Sequence, residues 1–239
     1  MRCSNRRLAG WPHLLLAVPV MLFVGIAVAQ DGTARDTVVA PDAVVVPDVA
    51  VERDAVVERD AVVEQHMEPI GWEGKLRFHA VSAYGPAALA GAAVYDGFLQ
   101  GIDFPREWEQ GGLGYSKRLG STLAYSGVRN LLGFGLDSAL HQDPRYYRST
   151  ERGIWRRTKH AFHETIFTHK DSGGETLATW RFGSAYGAAF ISNEWYPDRV
   201  NTIALGVSQG STQLGFDLLS NLGVEFWPDI KRKFLHRKP

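Results

Sequence analysis

From Glu68 to its end the sequence predicts an all-α fold, a helical bundle rich in small residues, on three observations. The first is the stretch 107–147, whose core at 117–140 has helical length. One face there carries Gly120, Ala124, Gly127, Leu131, Gly135 and Ala139 at steps of three or four. Another carries Ser126, Asn130, Gly133, Asp137 and His141 at the same steps. The small row invites a second helix to approach closely, and the polar row must find partners inside the protein or face water. The second observation is punctuation. Pro86, Pro105, Pro144 and Pro197, with loops at 171–174 and 195–198, divide the chain into helices. These are expected at 73–84, 86–99, 107–110 running into 116–140, 154–169, 175–193 and 200–225. The third is the lack of alternation in runs such as AALAGAAV and FDLLSNL. An outer-membrane β-barrel, the alternative suggested by frequent Gly, Tyr and Ser, needs strands that alternate over about ten residues.

Two unlike segments precede this domain. Arg2, Arg6 and Arg7 lead into an apolar run at 14–29 that ends Ala27-Val28-Ala29. A basic region, a short apolar run and an A-x-A site predict a signal peptide over residues 1–29, cleaved after Ala29. The run falls just short of the roughly 17–25 residues that span a bilayer. Export into the periplasm or outer membrane of a Gram-negative cell is the expectation. The only cysteine, Cys3, lies in the signal, so the mature chain has no disulfide, thiol nucleophile or thiolate metal site.

Residues 30–67 are predicted to be a disordered linker. They contain the hexapeptides RDTVVA, PDAVVV, PDVAVE, RDAVVE and RDAVVE, a period that fits neither a helix nor a stacked repeat. With no aromatic residue and ten acids against three arginines from Asp31 to Glu68, the segment buries too little apolar area to offset its ordering entropy.

The domain at 68–239 is basic: from residue 69 it holds 20 Lys and Arg against 16 Asp and Glu. Arg148, Arg152, Arg156, Arg157 and Lys159 form one cluster, and Lys231, Arg232, Lys233, Arg237 and Lys238 another. In an exported protein such clusters suit anionic lipid head groups, at about 1 kcal/mol per contact; solvated helix faces have the same composition. Export and the lack of a recognition motif argue against nucleic acid. The uncharged windows 78–95 and 200–216 are too interrupted or too polar to read as spans, so peripheral or partly embedded helices are expected.

A faint internal repeat pairs SAYGPAA (82–88) with SAYGAA (184–189), and LGFGLDSAL (132–140) with LGFDLLSNL (214–222). A duplication would give two helical hairpins about a pseudo-twofold axis, joined by residues 154–169. Gln213, Asp217 and Asn221 then share a face that meets the row of Asn130 and Asp137, most simply as a satisfied polar network that fixes register. The catalytic alternative has Asp137 or Asp217 orienting His141 as a general base, although no nucleophile motif accompanies it. His160 and His163 share a helix face in HAFHE, but no third metal ligand is marked by spacing. No phosphate-cradle or nucleophile-elbow motif occurs, and no cofactor is expected. Two loops each join Asp, Pro, Arg and aromatic residues. Asp143 to Tyr147 offers Arg145, Tyr146 and Tyr147; Asn193 to Arg199 offers Trp195, Tyr196, Asp198 and Arg199. Capping and stacking explain both, and a binding rim is the functional alternative.

EWEQGGLGYSKR, HQDPRYY, TKHAFHETIFTHKDSGGE, SNEWYPDR and EFWPDIKRK together resemble a family of uncharacterised secreted or envelope proteins of Gram-negative bacteria, especially soil-dwelling acidobacteria. The resemblance covers about residues 72–233. It implies export and a helical domain, and it carries over no catalytic residue. The resulting expectation is a non-enzymatic envelope protein that associates with membrane lipid or another envelope component. A periplasmic hydrolase built on His141 is the alternative.

Overall fold

The computed structural model describes residues 69–235; the expected signal peptide, the linker and the tail cations Arg237 and Lys238 lie outside the described residues. Among the described residues the fold is an all-α helical bundle with one two-stranded ribbon. The helices are α1 (Trp72–Tyr84), α2 (Pro86–Gly101), α3 (Gly111–Ala139), α4 (Ile154–Ile166), α5 (Thr179–Ser192) and α6 (Ile203–Leu235). Short 3-10 turns at Arg106–Trp108 and Asn193–Trp195 precede α3 and α6. Helices stand where the barrel alternative required alternating strands, which removes that alternative. No helix among the described residues is long and apolar enough to cross a membrane.

Gly85 and Pro86 set the first corner. A Cβ on Gly85 would stand 2.5 Å from the Val81 carbonyl, which accepts the Gly85 N–H as α1 ends. Pro86 then opens α2 at the position where a missing N–H costs nothing. The α2–α3 connection is organised around Arg118, whose side chain is fully buried. Its guanidinium donates to the carbonyls of Phe104, Glu109 and Pro105 at 2.8, 2.8 and 3.0 Å, and also to Gln100.

At the centre lies α5. Ala185, Ala188 and Ala189 are fully buried, and both α3 and α6 pack against this helix. The small residues are needed for the approach: a Cβ on Gly183 would meet Leu136 of α3 at 2.7 Å, and one on Gly210 of α6 would meet the Tyr186 ring at 2.3 Å. In both halves the SAYG helix packs on the LGF helix, α1 on α3 and α5 on α6.

Three details of the sequence reading change. First, the helix expected at 154–169 ends at Ile166, and the one expected at 175–193 starts at Thr179. Residues Phe167–His169 and Glu175–Leu177 instead pair as β1 and β2, in antiparallel register Phe167↔Leu177. The turn between them has Gly173 and Gly174 at φ +87° and +79°, backbone that closes a hairpin and not a helical turn. Second, α6 continues through Pro228 to Leu235. An interior proline costs a helix about 3 kcal/mol, which is offset here by packing on α4, where Arg157 binds both Glu225 and Asp229. Third, the small row of α3 lies mostly outside: only Gly127 is closely approached, by Tyr84 of α1, and the polar row takes the buried positions. Gly120 and Gly135 have open space beside them and Leu131 is 70% exposed, whereas Asn130, Gly133 and Asp137 are buried.

Arg118→Met leaves three loop carbonyls without their donor. We expect a loss of about 3–5 kcal/mol, read as a lower denaturant midpoint at unchanged slope. Arg118→Lys should rescue only part, because a single ammonium cannot reproduce the fork.

Candidate functional site

The α3 row that turned inward makes the first of two buried polar clusters. His79 of α1 faces Asp137 Oδ2 through Nε2 at 2.8 Å and Asn130 Oδ1 through Nδ1 at 3.1 Å. Asn130 is oriented by its own Nδ2, which donates to the Ser126 carbonyl at 2.9 Å, so both ring nitrogens face oxygen acceptors. Lys75, also buried, donates to the Asp137 carbonyl at 3.2 Å and to Asp171 at 2.7 Å. This cluster ties α1 to α3 and to the ribbon turn, and its partners are within the protein. It fixes register between α1 and α3, but it is not the expected meeting of two polar rows: Asn130 and Asp137 bond to α1, while Asp217 and Asn221 bond to Arg129 and Thr165.

The second cluster belongs to a cavity of about 740 Å³ bounded by α1, α2, α3, α5 and α6. Its walls are largely apolar, with Phe78 and Val81 from α1, Leu99 from α2, and Leu205 and Phe216 from α6. The Tyr95 ring meets Phe216 edge-on at 6.1 Å. Three charged residues line it: Arg129 of α3, Arg181 of α5 and Asp217 of α6. Arg129 Nη2 donates to both oxygens of Asp217, at 2.8 and 2.7 Å, and Gln213 Nε2 donates to the same carboxylate at 3.2 Å. Arg181 Nε stands 4.0 Å from Asp217. Its Nη1 donates to the Glu164 and Thr165 carbonyls at 2.6 and 2.8 Å, and its guanidinium lies over the Trp180 ring. Burial lowers the Arg181 pKa, Asp217 opposes that shift, and Arg129 adds to it. Asn221 completes this end by donating to Thr165 Oγ1 at 2.9 Å.

Several buried polar atoms on lining residues have no protein partner: Arg129 Nε, Trp180 Nε1 and Ser220 Oγ. Each such group costs about 1–3 kcal/mol when left unmatched. The unmatched buried acceptors, Asp96 Oδ2, Asp171 Oδ1 and Asn193 Oδ1, sit on residues outside the lining. The cavity is therefore short of acceptors. Its tyrosines are neutral: burial pushes the Tyr125 phenol up to about 12 and raises those of Tyr95, Tyr146 and Tyr196 as well.

The structure distributes the residues singled out in the sequence. Asp217 lines the cavity, but it serves Arg129, and Asp137 serves His79. His141 stands apart from both. It lies beyond the end of α3 with φ +51°, its side chain is 80% exposed, and its nearest carboxylate is Asp171 at 3.9 Å. The assumption that the helix continues through His141 is what placed it on the Asp137 face. His160 meets the Tyr146 hydroxyl at 3.4 Å and not His163. His163 stacks on Phe167, and its ligand atoms come within 4.8 Å of those of Glu164 and Glu175; Glu164 spends an oxygen on His169.

In the first aromatic loop, Arg145 and Tyr147 both bind Asp143, and Tyr146 donates to buried Glu225 at 2.7 Å. In the second, Trp195 donates to Ser121 at 2.9 Å, Tyr196 packs on Trp108, Arg199 pairs with Glu107 and Asp198 is exposed. The first loop makes the expected pairing and stacking, Asp143 holding Arg145, which lies over Tyr147; in the second, Arg199 pairs with Glu107 and not with Asp198. Of the seven residues, Tyr146 and Tyr196 reach the cavity. No family model, curated protein or solved structure matches the chain.

Sequence reading missed Arg129, Arg181 and His79. A signal for the arginines was present. Arg129 is the only charged residue at 119–136, Arg181 at 176–193, and Asp217 at 200–224. Lone charges of opposite sign in long uncharged helices point to mutual burial.

Asp96 of α2, also buried, accepts from Thr122 at 2.8 Å, and burial pushes its carboxyl up to about 6 from 3.8. The folded chain holds this proton more tightly than the unfolded one, so stability falls as pH rises from about 4 to about 6 and stays lower above. The loss is roughly 3 kcal/mol. Asp96→Asn should flatten that window in denaturant titrations. It should leave any further fall above pH 6.5, where His169, raised by its bond to Glu164, loses its proton.

Proposed function

We propose that the chain is an exported, non-enzymatic envelope protein that associates with a membrane surface and carries a binding cavity. The observation behind the membrane contact is the free face of α4. Ile154 and Trp155 are 76% and 78% exposed, and Phe162 is more than half exposed. Arg152, Arg156 and Lys159 are exposed beside them. Aromatic residues among cations suit the interfacial layer of an anionic bilayer, where the rings enter the head-group region and the cations meet phosphates. Arg157, by contrast, is turned inward onto Glu225, Asp229 and the Phe226 ring.

The distribution of charge supports the same reading. Lys75, Asp96, Arg118, Asp137, Arg181 and Glu225 are buried, while Trp72, Leu113, Leu131 and Ile203 are exposed. Scattered exposed apolar residues are ordinary; their combination with so charged an interior suits a protein whose outer surface meets something less polar than water. The signal-like N-terminus and the long acidic linker fit export and reach.

Co-sedimentation tests this. The protein should pellet with phosphatidylglycerol vesicles and much less with phosphatidylcholine vesicles. The pair Ile154→Ser and Trp155→Ser should weaken binding at least tenfold, and Arg152→Gln with Arg156→Gln should remove most of the salt dependence. A protein that stays in the supernatant with both vesicle types contradicts the proposal.

A further inference from the structure

The cavity specifies more than a binding role. We infer that it takes a long-chain monoanionic amphiphile, an acyl carboxylate, with its head group between Arg129, Arg181 and Ser220 and its tail along the apolar walls of α1 and α2. The inference extends the binding role proposed above and does not depend on how the protein meets a membrane.

Charge gives the sign. Asp217 is the single carboxylate lining the cavity against two guanidiniums, and both its oxygens are already engaged by Arg129. Glu164 also faces Arg181 electrostatically, but it lies outside the lining and its carboxylate is bonded to His169 at 3.2 Å. One positive charge is thus left over within the cavity, which a monoanion matches and a dianion exceeds. Hydrogen bonding gives the chemistry. The unmatched groups on lining residues, Arg129 Nε, Trp180 Nε1 and Ser220 Oγ, are two obligate donors and one hydroxyl. Such a set asks for an acceptor-only group with several lone pairs, which a carboxylate is.

Shape gives the rest of the molecule. The lining residues on α6 run from Leu205 to Asn221, about 24 Å at 1.5 Å per residue. Phe78, Val81 and Leu99 supply an apolar wall from α1 and α2, whereas α6 adds only Leu205 and Phe216, with Ser208, Gln209, Thr212 and Gln213 between them. A small anion would leave that wall bare, and a neutral lipid would leave the donors and the surplus charge unmet. Apolar lining with a few convergent polar groups is the usual composition of a small-molecule site.

The test is calorimetric titration of the full chain with hexadecanoate, hexadecanol and acetate. Hexadecanoate should bind one to one. Hexadecanol should bind at least tenfold more weakly, and acetate should give no measurable heat. Ser220→Ala removes a hydroxyl with no protein partner, so it should keep the melting temperature while weakening hexadecanoate several-fold. Thr212→Trp, which fills the cavity from α6, should abolish binding of both amphiphiles. Equal affinity for acid and alcohol would overturn the head-group assignment, as would unchanged binding in Ser220→Ala. Acetate binding as well as hexadecanoate would reduce the site to a free-anion site and overturn the tail. Failure of both amphiphiles to bind the folded protein would overturn the cavity as a lipid site, whatever the vesicle experiment gives.

Discussion

Asp217 sits between two arginines on different helices, and much of the bundle follows from that arrangement. It takes both hydrogen bonds of Arg129 from α3 and stands 4.0 Å from Arg181 on α5, while itself belonging to α6. Three helices are thereby held at fixed mutual rotation by one carboxylate. Charges removed from water must be paired or they cost several kcal/mol, so any slip of α6 against α3 would strand two or three of them at once. The apolar contribution is modest by comparison. The fully buried apolar side chains around α5 are alanines, and the largest fully buried side chains are Arg118, Glu225, Asp96 and Asp137. Small residues let the helices come close, and polar pairs decide where along one another they stop.

The same economy explains the cavity. Helices brought together through alanine and glycine on one side of α5 leave space elsewhere, and the larger residues of α1, α2 and α6 wall that space without filling it. A bundle selected for stability alone would close such a volume or match its donors. Here an arginine, a tryptophan and a serine keep unmatched groups on its lining, a pattern typical of sites where stability has been given up for a ligand.

The helical class and most helix positions were legible because proline, glycine and the three-to-four spacing act locally. Pro86 and Gly85 made their corner, and residues 111–139 made a helix near the length expected. What was not legible depends on partners distant in sequence. Which row of α3 turns inward was decided by His79 and Lys75, more than fifty residues away, and the small row looked like the better interface from composition alone. The ribbon at Phe167–His169 was hidden because its strands are three residues long and read as the ends of two helices. For the site, Asp217 and the row Gln213, Asp217 and Asn221 were visible from spacing. Its arginine partners were marked only as lone charges in long uncharged stretches, and which carboxylate each would meet depends on how distant helices pack. The clusters at the two aromatic loops turned out to be mostly self-satisfied, which is why they lent themselves less to binding than their composition suggested.

The charge left over beside the Arg129–Asp217 pair is what selects the ligand's carboxylate. The most direct measurement is the variant Arg181→Gln, scored for folding and for the ratio of hexadecanoate to hexadecanol affinity. It leaves Arg129 and Asp217 as a neutral pair and keeps an amide donor near the Glu164 and Thr165 carbonyls that Arg181 serves. The expected result is a folded protein in which the preference for the carboxylate is lost. A folded variant that prefers the carboxylate as strongly as the parent would contradict the assignment.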